Sequence, residues 1–235
     1  MPTPPNPLQN RILAALTPAD QAALFPHLEP LRMPAGWMMC ESGSDFDGLY
    51  FPSSGIVSLL YVMDNGRAAE TAVIGNDGMV GISLFMGGQS TASRAIVQHA
   101  GHAYRLKASA LTTGFVLGIG LQYLALRYAQ SLLTQVSQTT VCNRHHRLEQ
   151  QLCRLLLLRL DLLWDEDVLM TQEQIANTLG VRREAVTEVA GRLQHEGLIR
   201  YNRGRISLLD RAGLELRVCK CYAVVRQEHQ RLLPA

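Results

Sequence analysis

Residues 170–201 read MTQEQIANTLGVRREAVTEVAGRLQHEGLIRY, and this stretch decides the fold of the C-terminal half of the chain. Thr171 followed by Gln174 is a capping-box pattern, which predicts a helix beginning at Gln172. Gly180 suits the left-handed conformation that ends such a helix. A second helix is expected after a turn of about three residues. The stretch therefore predicts a helix-turn-helix.

The second predicted helix has one apolar and one polar face. Its inward positions are Val186, Val189, Ala190 and Leu193, and its outward positions are Arg183, Glu184, Thr187, Glu188 and Gly191. Arg182 and Arg183 oppose the helix macrodipole at this end, so helix stability does not explain them. In a helix-turn-helix these first residues reach base edges in the major groove. There arginine can bind guanine and a carboxylate can accept from cytosine.

The next segment, LIRYNRGRISLL, predicts a hairpin around Asn202-Arg203-Gly204. Such a wing would place Arg200, Arg203 and Arg205 near the DNA backbone. Together the two motifs predict DNA contacts by Thr171, Gln172, Arg182, Arg183, Glu184, Thr187, Glu188, Arg203 and Arg205. Glu184 and Glu188 either read bases or hold the arginine side chains in place. Residues 210–233 predict one further helix docked on this winged unit, and a partner-binding role for it stays open.

Composition supports a folded protein with a basic C-terminal half. The chain has 235 residues, of which 47% are hydrophobic and 18% charged, with a net charge of +2. The first 120 residues carry 6 basic and 8 acidic side chains, and the remainder carries 16 and 12. Nearly all basic residues are arginines, whose planar forks can grip phosphates or guanine edges. Double-stranded DNA is therefore the expected partner, with a protein-docking module that does not bind DNA as the alternative from another class.

Short β-like runs separated by glycine turns occupy residues 31–107. The runs IVSLLYVM and TAVI flank the turn signal Asp64-Asn65-Gly66. Many short strands with such turns predict an antiparallel barrel or jelly roll.

A long helical stretch follows residue 120 and breaks near 143–145. Positions 126, 129, 133, 136 and 140 form one stripe, and positions 125, 128, 132, 135, 139 and 142 form another. A helix with two such faces must be covered twice, by the barrel and by a second subunit in coiled-coil fashion. We predict a homodimer through residues 121–143, with an interface of Leu121, Ala125, Tyr128, Leu132, Val136 and Thr139.

The predicted fold class is therefore α+β. An N-terminal antiparallel jelly roll with a preceding helix occupies residues 1–120, a dimerisation helix and hinge 121–146, and a winged helix-turn-helix with a C-terminal helix 147–235. The sequence offers no carboxylate pair, phosphate loop or nucleophile elbow, so no enzyme is expected.

Five cysteines and no signal peptide predict a cytoplasmic protein with reduced thiols. The apolar runs 111–126 and 152–163 are interrupted by polar or charged residues, so no membrane span is expected. Cys142, His145 and His146 could form a metal or haem site, and Cys219 and Cys221 could add thiolates. Because neither group has the paired spacing of a structural zinc site, no cofactor is predicted, with redox, haem or metal sensing left open. An iron–sulfur cluster is excluded, since the N-terminal region offers only Cys40.

The helix-turn-helix resembles that of the Crp/Fnr (cyclic-AMP receptor protein/fumarate–nitrate regulator) family of bacterial transcription factors. Arg183-Glu184 occupy the place of the Arg-Glu pair that opens the family's recognition helix, and Thr171 matches a phosphate-contacting threonine. Residues 35–60, AGWMMCESGSDFDGLYFPSSGIVSLL, are similar to the family's sensor-barrel signature. The resemblance covers about residues 18–209. It implies a homodimeric, sequence-specific regulator, with RNA polymerase as a candidate partner and a small-molecule effector of unknown identity.

Two departures from the family pattern affect function. Glu188 stands where the resemblance implies a further base-contacting arginine, so the DNA sequence preference should differ. Cyclic-nucleotide-binding members carry Glu after a glycine and an Arg-Ser/Thr-Ala run, whereas this chain has Gly81-Ile82 and Ser93-Arg94-Ala95. Arg94 falls one place late, which in a strand turns the side chain to the opposite face. Cyclic AMP is therefore not expected as the effector.

Overall fold

Two antiparallel sheets form the N-terminal part of the protein. The computed structural model describes residues 6–64, 68–112, 118–163 and 167–233. One sheet has the order β1-β7-β3 and the other the order β2-β6-β4-β5. The strands are β1 (Glu29–Met33), β2 (Met38–Cys40), β3 (Gly48–Pro52), β4 (Ile56–Val62), β5 (Ala68–Ile74), β6 (Arg94–His99) and β7 (Gly101–Lys107). The predicted antiparallel β-roll is confirmed, while Asn65 and Gly66 of the turn signal lie outside the described residues.

Strand β3 is buried on both of its faces. Tyr50 points into the space between the sheets. Leu49 and Phe51, on the opposite face, pack against the surrounding helices. Because side chains alternate along a strand, the sequence LYF serves two cores at once, and this sheet joins the barrel to the helical layer.

Short helices flank the roll, and Asn10 fastens the first of them. They are α1 (Arg11–Ala14), α2 (Pro18–Leu24), α3 (Ile82–Phe85) and α4 (Ala108–Thr112). The buried Asn10 side chain accepts from the backbone amides of Ile12 and Leu13. Its amide nitrogen donates to the carbonyls of Pro52 (2.9 Å) and Gly78 (2.8 Å). One amide side chain thus caps α1 and ties it to the barrel.

The long helix α5 (Ile119–His145) contacts the barrel along one face. Gln135 accepts from the Val73 amide at 2.6 Å and donates to the Val73 carbonyl at 3.2 Å. The helix ends where the sequence predicted a break, and α6 (Leu148–Leu160) follows. Within the described ranges, no helix is both long and apolar enough to cross a membrane.

The predicted dimer face of α5 needs correction. Leu121, Ala125 and Tyr128 are 2%, 0% and 4% exposed, buried in a core shared with α1 and the barrel. They cannot face a second subunit in this arrangement. Sequence alone could not tell which of two apolar stripes the barrel covers. The more exposed stripe is the other one, with Leu126 and Leu133 at 62% and 63% exposure.

The prediction of one C-terminal helix docked on the winged unit is also wrong. There are two helices, α9 (Arg211–Arg217) and α10 (Lys220–Leu232), separated by extended backbone at 218–219. Leu214 of α9 is buried in the winged unit. Helix α10 packs Tyr222 into the same core, but most of its length lies along α5, where Arg127 donates to the Arg231 carbonyl at 2.8 Å. Residues 210–233 thus form two helices and not the single one expected.

The C-terminal unit is a winged helix-turn-helix built on α6. It comprises β8 (Val168–Leu169), α7 (Gln172–Leu179), α8 (Arg183–His195), β9 (Ile199–Asn202) and β10 (Arg205–Leu208), with sheet order β8-β10-β9. Its core combines the leucines of α6 with Ile175, Val186 and Leu193. Strand β8 was not predicted from the sequence.

A buried ion pair joins this unit to the barrel. Arg159 of α6 and Glu70 of β5 are 2.6 Å apart, with side chains 2% and 9% exposed. Ser58 donates to the same carboxylate oxygen at 2.5 Å. Removing one partner from a buried pair leaves an uncompensated charge, which is more costly than never having built the pair.

We predict that Glu70→Gln lowers the free energy of unfolding by about 3–5 kcal/mol, because Arg159 then stays buried without its countercharge. Glu70→Gln combined with Arg159→Met should be less destabilising than Glu70→Gln alone. Denaturant unfolding followed by circular dichroism provides the measurement. Glu41→Gln, which breaks the more exposed Arg94–Glu41 pair, is the matched control and should cost less than about 1 kcal/mol. Equal losses for Glu70→Gln and Glu41→Gln would contradict the assignment.

Candidate nucleic-acid interface

Helix α7 begins with the predicted capping box. Thr171 accepts from the Gln174 amide at 3.2 Å, and the Thr171 amide donates to the Gln174 side chain at 2.8 Å. Gly180 ends the helix at φ 68°, in the left-handed region. These two local features set the length of α7 and turn the chain into α8. The helix-turn-helix predicted from the sequence is confirmed as a structure.

Five of the nine residues predicted to contact DNA line one open groove between α7, α8 and the wing. They are Thr171, Gln172, Arg183, Thr187 and Arg203, around a cavity of about 630 Å³. Thr187 donates to the Gln172 side chain at 2.7 Å, which links the start of α7 to the outward face of α8. Arg182, Glu184, Glu188 and Arg205 lie outside this lining.

The charged residues at the start of α8 differ in whether they are already paired. Arg182, Arg183 and Glu184 are exposed, and none of them forms an ion pair within the part of the chain that the structure describes. Glu188 is 2.5 Å from Arg192, one turn further along α8. The alternative in which the acidic residues hold the leading arginines is therefore not borne out, because Glu184 forms no ion pair among the described residues and the Glu188 carboxylate holds Arg192.

The wing is a tight hairpin with a two-residue turn. Arg203 and Gly204 have φ of 48° and 81°, and Arg203 is the one non-glycine residue with positive φ among the described residues. Two left-handed residues in succession match the twist of an antiparallel hairpin. The Gly204 carbonyl accepts from the Met170 amide at 2.8 Å, so the tip of the wing is held beside the start of α7.

Arg205 of the wing is less available for DNA contact than the sequence predicted, because it already has an ion-pair partner. Its guanidinium lies 2.9 Å from Asp167, although the arginine side chain is 65% exposed. Hydrogen bonding from Ser207, followed by that from Arg205, holds the pKa of Asp167 below its usual value. Arg200 and Arg203 form no ion pair within the described ranges, so the free positive charge of the wing lies on them.

Gln194 and Tyr201 are polar groove residues that the sequence prediction missed. Gln194 accepts from the Tyr201 amide at 2.6 Å, and both residues line the groove. Gln194 continues the face that begins with Arg183, Thr187 and Gly191, at a helical spacing visible in the sequence. Tyr201 could not be assigned in this way, because its position depends on how the wing packs against α8.

Ile82 and Arg94 stand at barrel positions where the sequence departs from the pattern of nucleotide-binding family members, and both make contacts within the chain. Ile82 begins α3 and is partly buried against the helical core. Arg94 points away from the interior and pairs with Glu41 at 2.6 Å, whereas the neighbouring Ala95 is fully buried inside the roll. A cavity of about 450 Å³ nearby is lined by Asp45 and, among the described residues, by no arginine or lysine. Such a lining does not favour a phosphate.

The predicted Cys142, His145 and His146 group is only partly assembled. Cys142 and His146 lie with Cys219 and Cys221, and the four ligand atoms are within 4.8 Å of one another. His145 is exposed and does not belong to this group. Hydrogen bonding to Cys219 and burial raise the pKa of Cys142, while the positive charge of Arg154 opposes that rise.

Comparison with protein families identifies both halves of the structure. Residues 30–114 match the cyclic nucleotide-binding domain, and residues 150–217 match the Crp-like helix-turn-helix domain. These two matches in this order, on a β-roll, a long helix and a winged helix-turn-helix, are decisive. The chain belongs to the Crp/Fnr family of transcriptional regulators. As a member of this family it is a DNA-binding regulator and not an enzyme.

Solved structures of Crp- and Crp/Fnr-family regulators, and that of FixK2, share the fold. One from Eubacterium rectale is 20% identical, with a TM-score of 0.68 over 88% of this chain and 96% of that protein. TTHB099 from Thermus thermophilus is 21% identical, with a TM-score of 0.67 over 80% and 95%. FixK2 from Bradyrhizobium japonicum is 15% identical, with a TM-score of 0.67 over 82% and 98%. No curated protein matched this Crp/Fnr-family sequence.

Proposed function

We propose that the protein is a homodimeric regulator that reads a near-palindromic DNA site through α8 and responds to a signal other than cyclic AMP. The observation that supports it most is the groove between α7, α8 and the wing. Five predicted contact residues converge there, among them Arg183, which has no ion-pair partner among the described residues. RNA polymerase and a small-molecule effector belong to the proposal as partners that the family implies.

The contacts divide into base reading and backbone positioning. Arg183 can hold guanine O6 and N7 with its two terminal nitrogens, and Glu184 can accept from cytosine N4. Thr171 and Gln172, at the N-terminus of α7, suit a phosphate. Arg182 at the N-cap of α8 and Arg203 on the wing add positive charge on either side.

The remaining proposed DNA contacts differ in whether their side chains already have a partner within the protein. Glu188 and Arg205 are engaged by Arg192 and Asp167, so each would have to exchange a protein partner for DNA. Thr187 is engaged by Gln172. We therefore assign Glu188 a secondary role in sequence preference, and place the first phosphate contact of the wing at Arg203 rather than Arg205.

The dimer interface in this proposal is the exposed stripe of α5. Leu126 and Leu133, both exposed, are seven residues apart, and the half-buried Val136 continues the same face. A seven-residue repeat of apolar side chains is what a two-stranded coiled coil requires. Of the interface predicted from the sequence, Val136 belongs to this face, while Leu132 and Thr139 are partly buried towards the chain's own core. A two-fold axis along α5 would give two copies of α8.

The proposed signal is not cyclic AMP because the chain's own side chains occupy the relevant positions. Ile82 cannot accept a hydrogen bond from a ribose hydroxyl, and Arg94 is turned outward onto Glu41. The fold does not fix the ligand either. CLP of Xanthomonas campestris, a c-di-GMP-responsive regulator, shares it with a TM-score of 0.61 at 16% identity.

We predict that Arg183→Ala weakens binding to the specific site by about 1–3 kcal/mol and has little effect on random DNA. Arg203→Asn, chosen because asparagine tolerates positive φ, should weaken all sequences alike and lower the salt slope by about one. Fluorescence anisotropy over a range of salt concentrations separates the two effects. Arg32→Ala, at an exposed position of strand β1 in the barrel, is the control and should change neither effect. Equal losses on specific and random DNA for Arg183→Ala would remove its base-reading role.

We predict that the wild type sediments as a dimer at micromolar concentration and that Leu133→Glu sediments as a monomer, because a charge then enters the apolar seam. Leu216→Glu makes the same change at an 86% exposed leucine of α9 and should remain dimeric. Circular dichroism checks that both variants fold. A monomeric wild type, or a dimeric Leu133→Glu variant, would rule out this face.

We predict that titration calorimetry detects no saturable binding of cyclic AMP at micromolar concentration, and that cyclic AMP leaves DNA affinity unchanged. The reason is that Ile82 and Arg94 cannot supply the ribose and phosphate contacts. Saturable micromolar binding would show that other residues replace them and would overturn this part of the proposal.

A further inference from the structure

A compact group of thiols and one imidazole lies where the long helix ends. Cys142 is in the last turn of α5 and His146 is its C-cap, while Cys219 is the N-cap of α10 and Cys221 lies in its first turn. The two segments are more than 70 residues apart in sequence. We propose that these four side chains bind one zinc ion, which fastens α10 to the hinge between α5 and α6.

The distances between the ligand atoms agree with tetrahedral zinc. Zinc lies about 2.3 Å from sulfur and about 2.0–2.1 Å from nitrogen, so a tetrahedron places two sulfurs about 3.8 Å apart and sulfur and nitrogen about 3.6 Å apart. The Cys142 and Cys219 sulfurs are 3.5 Å apart. The Cys221 sulfur and His146 Nδ1 are 3.6 Å apart. All four atoms lie within 4.8 Å of one another, so shifts of about 1 Å or less would bring the longer separations to the tetrahedral values.

Hydrogen bonds hold the backbone around the group in place. The His146 amide donates to the Cys142 carbonyl at 3.1 Å, which sets the two ligands one turn apart. Gln151, 7% exposed, donates to the His146 carbonyl at 2.8 Å and to the Cys142 carbonyl at 3.4 Å. These hydrogen bonds fix the backbone that carries two of the four ligands.

A buried arginine supplies the complementary charge. Three thiolates and Zn²⁺ carry a net charge of about −1 by formal count. Arg154 is 6% exposed and close enough to Cys142 and Cys221 to act on them electrostatically. It donates to Thr139 at 2.6 Å, its Nε has no hydrogen-bond partner, and no carboxylate pairs with it among the described residues. A buried cation without a countercharge is costly, and an anionic metal site would provide one.

Simple packing, a haem, an iron–sulfur cluster and a disulfide each fit the group less well than zinc. Packing accounts for Cys153, which lies among the leucines of α6, but it does not require three sulfurs and a ring nitrogen to converge. Four ligand atoms this close leave no room for a haem or for the several irons of a cluster. A Cys142–Cys219 disulfide would use two ligands and leave Cys221, His146 and Arg154 unexplained.

Metal analysis of the full-length chain tests the site. Protein purified under reducing conditions should contain about one zinc per chain, and the metal-free chain should take up one cobalt with the intense visible bands of tetrahedral coordination. The sulfur-to-cobalt charge-transfer intensity of the wild type should correspond to three thiolates. This readout involves neither DNA nor a variant, so it succeeds or fails independently of the proposed function. Removal of zinc should lower the melting temperature.

Matched variants locate the ligands. His146→Ala and Cys219→Ser should reduce bound metal from about one per chain to near zero, whereas His145→Ala and Cys40→Ser should keep it. A reduced wild type that takes up neither zinc nor cobalt would overturn the proposal. Three other results would also overturn it. They are a cobalt spectrum without thiolate bands, a Cys142–Cys219 disulfide that persists in protein purified under reducing conditions, and equal metal loss in His145→Ala and His146→Ala.

Discussion

The buried ion pair between Arg159 and Glu70 fixes where the DNA-reading unit lies against the barrel. The Arg159 guanidinium is 2% exposed, so separating it from the Glu70 carboxylate would leave a buried charge unpaired. Ser58 donates to the same carboxylate oxygen, so these polar contacts are made in one relative position of the two parts. Helix α6 carries Arg159 and also forms the floor under α7 and α8. The orientation of the recognition helix is therefore set by strand β5 of the barrel. Any rearrangement that separates the two parts has to provide both charges with water or new partners.

Helix α5 contacts two other parts of its own chain, and in the proposed dimer it would contact a second subunit as well. The barrel covers Leu121, Ala125 and Tyr128, and α10 covers the side that includes Arg127 and Ser131. The leucines at 126 and 133 remain. Cys142, Cys219 and Cys221 lie together at the end of α5. The proposed dimer interface, the contact with α10 and the proposed metal site therefore all lie along this one helix.

Much of the fold was predictable, because its signals are local. The capping box at Thr171, the left-handed Gly180 and the turn at Arg203-Gly204 each depend on a few neighbouring residues, and each was found in place. The errors concern long-range packing. Three features depend on segments that are distant in sequence. They are the stripe of α5 that the barrel covers, the break between α9 and α10, and the pairing of Arg205 with Asp167. The gathering of Cys142 and His146 with Cys219 and Cys221 likewise required α10 to fold back onto α5.

Selection from a random DNA pool tests the central claim most directly, since it assumes nothing about the sequence of the site. Two copies of α8 related by a two-fold axis should enrich a motif with two inverted half-sites, centred about one helical turn apart. Repeating the selection with Arg183→Ala should relax the preference for guanine at one position in each half-site. An enriched motif without symmetry, or an unchanged motif for the variant, would contradict the account in which paired recognition helices read DNA through Arg183.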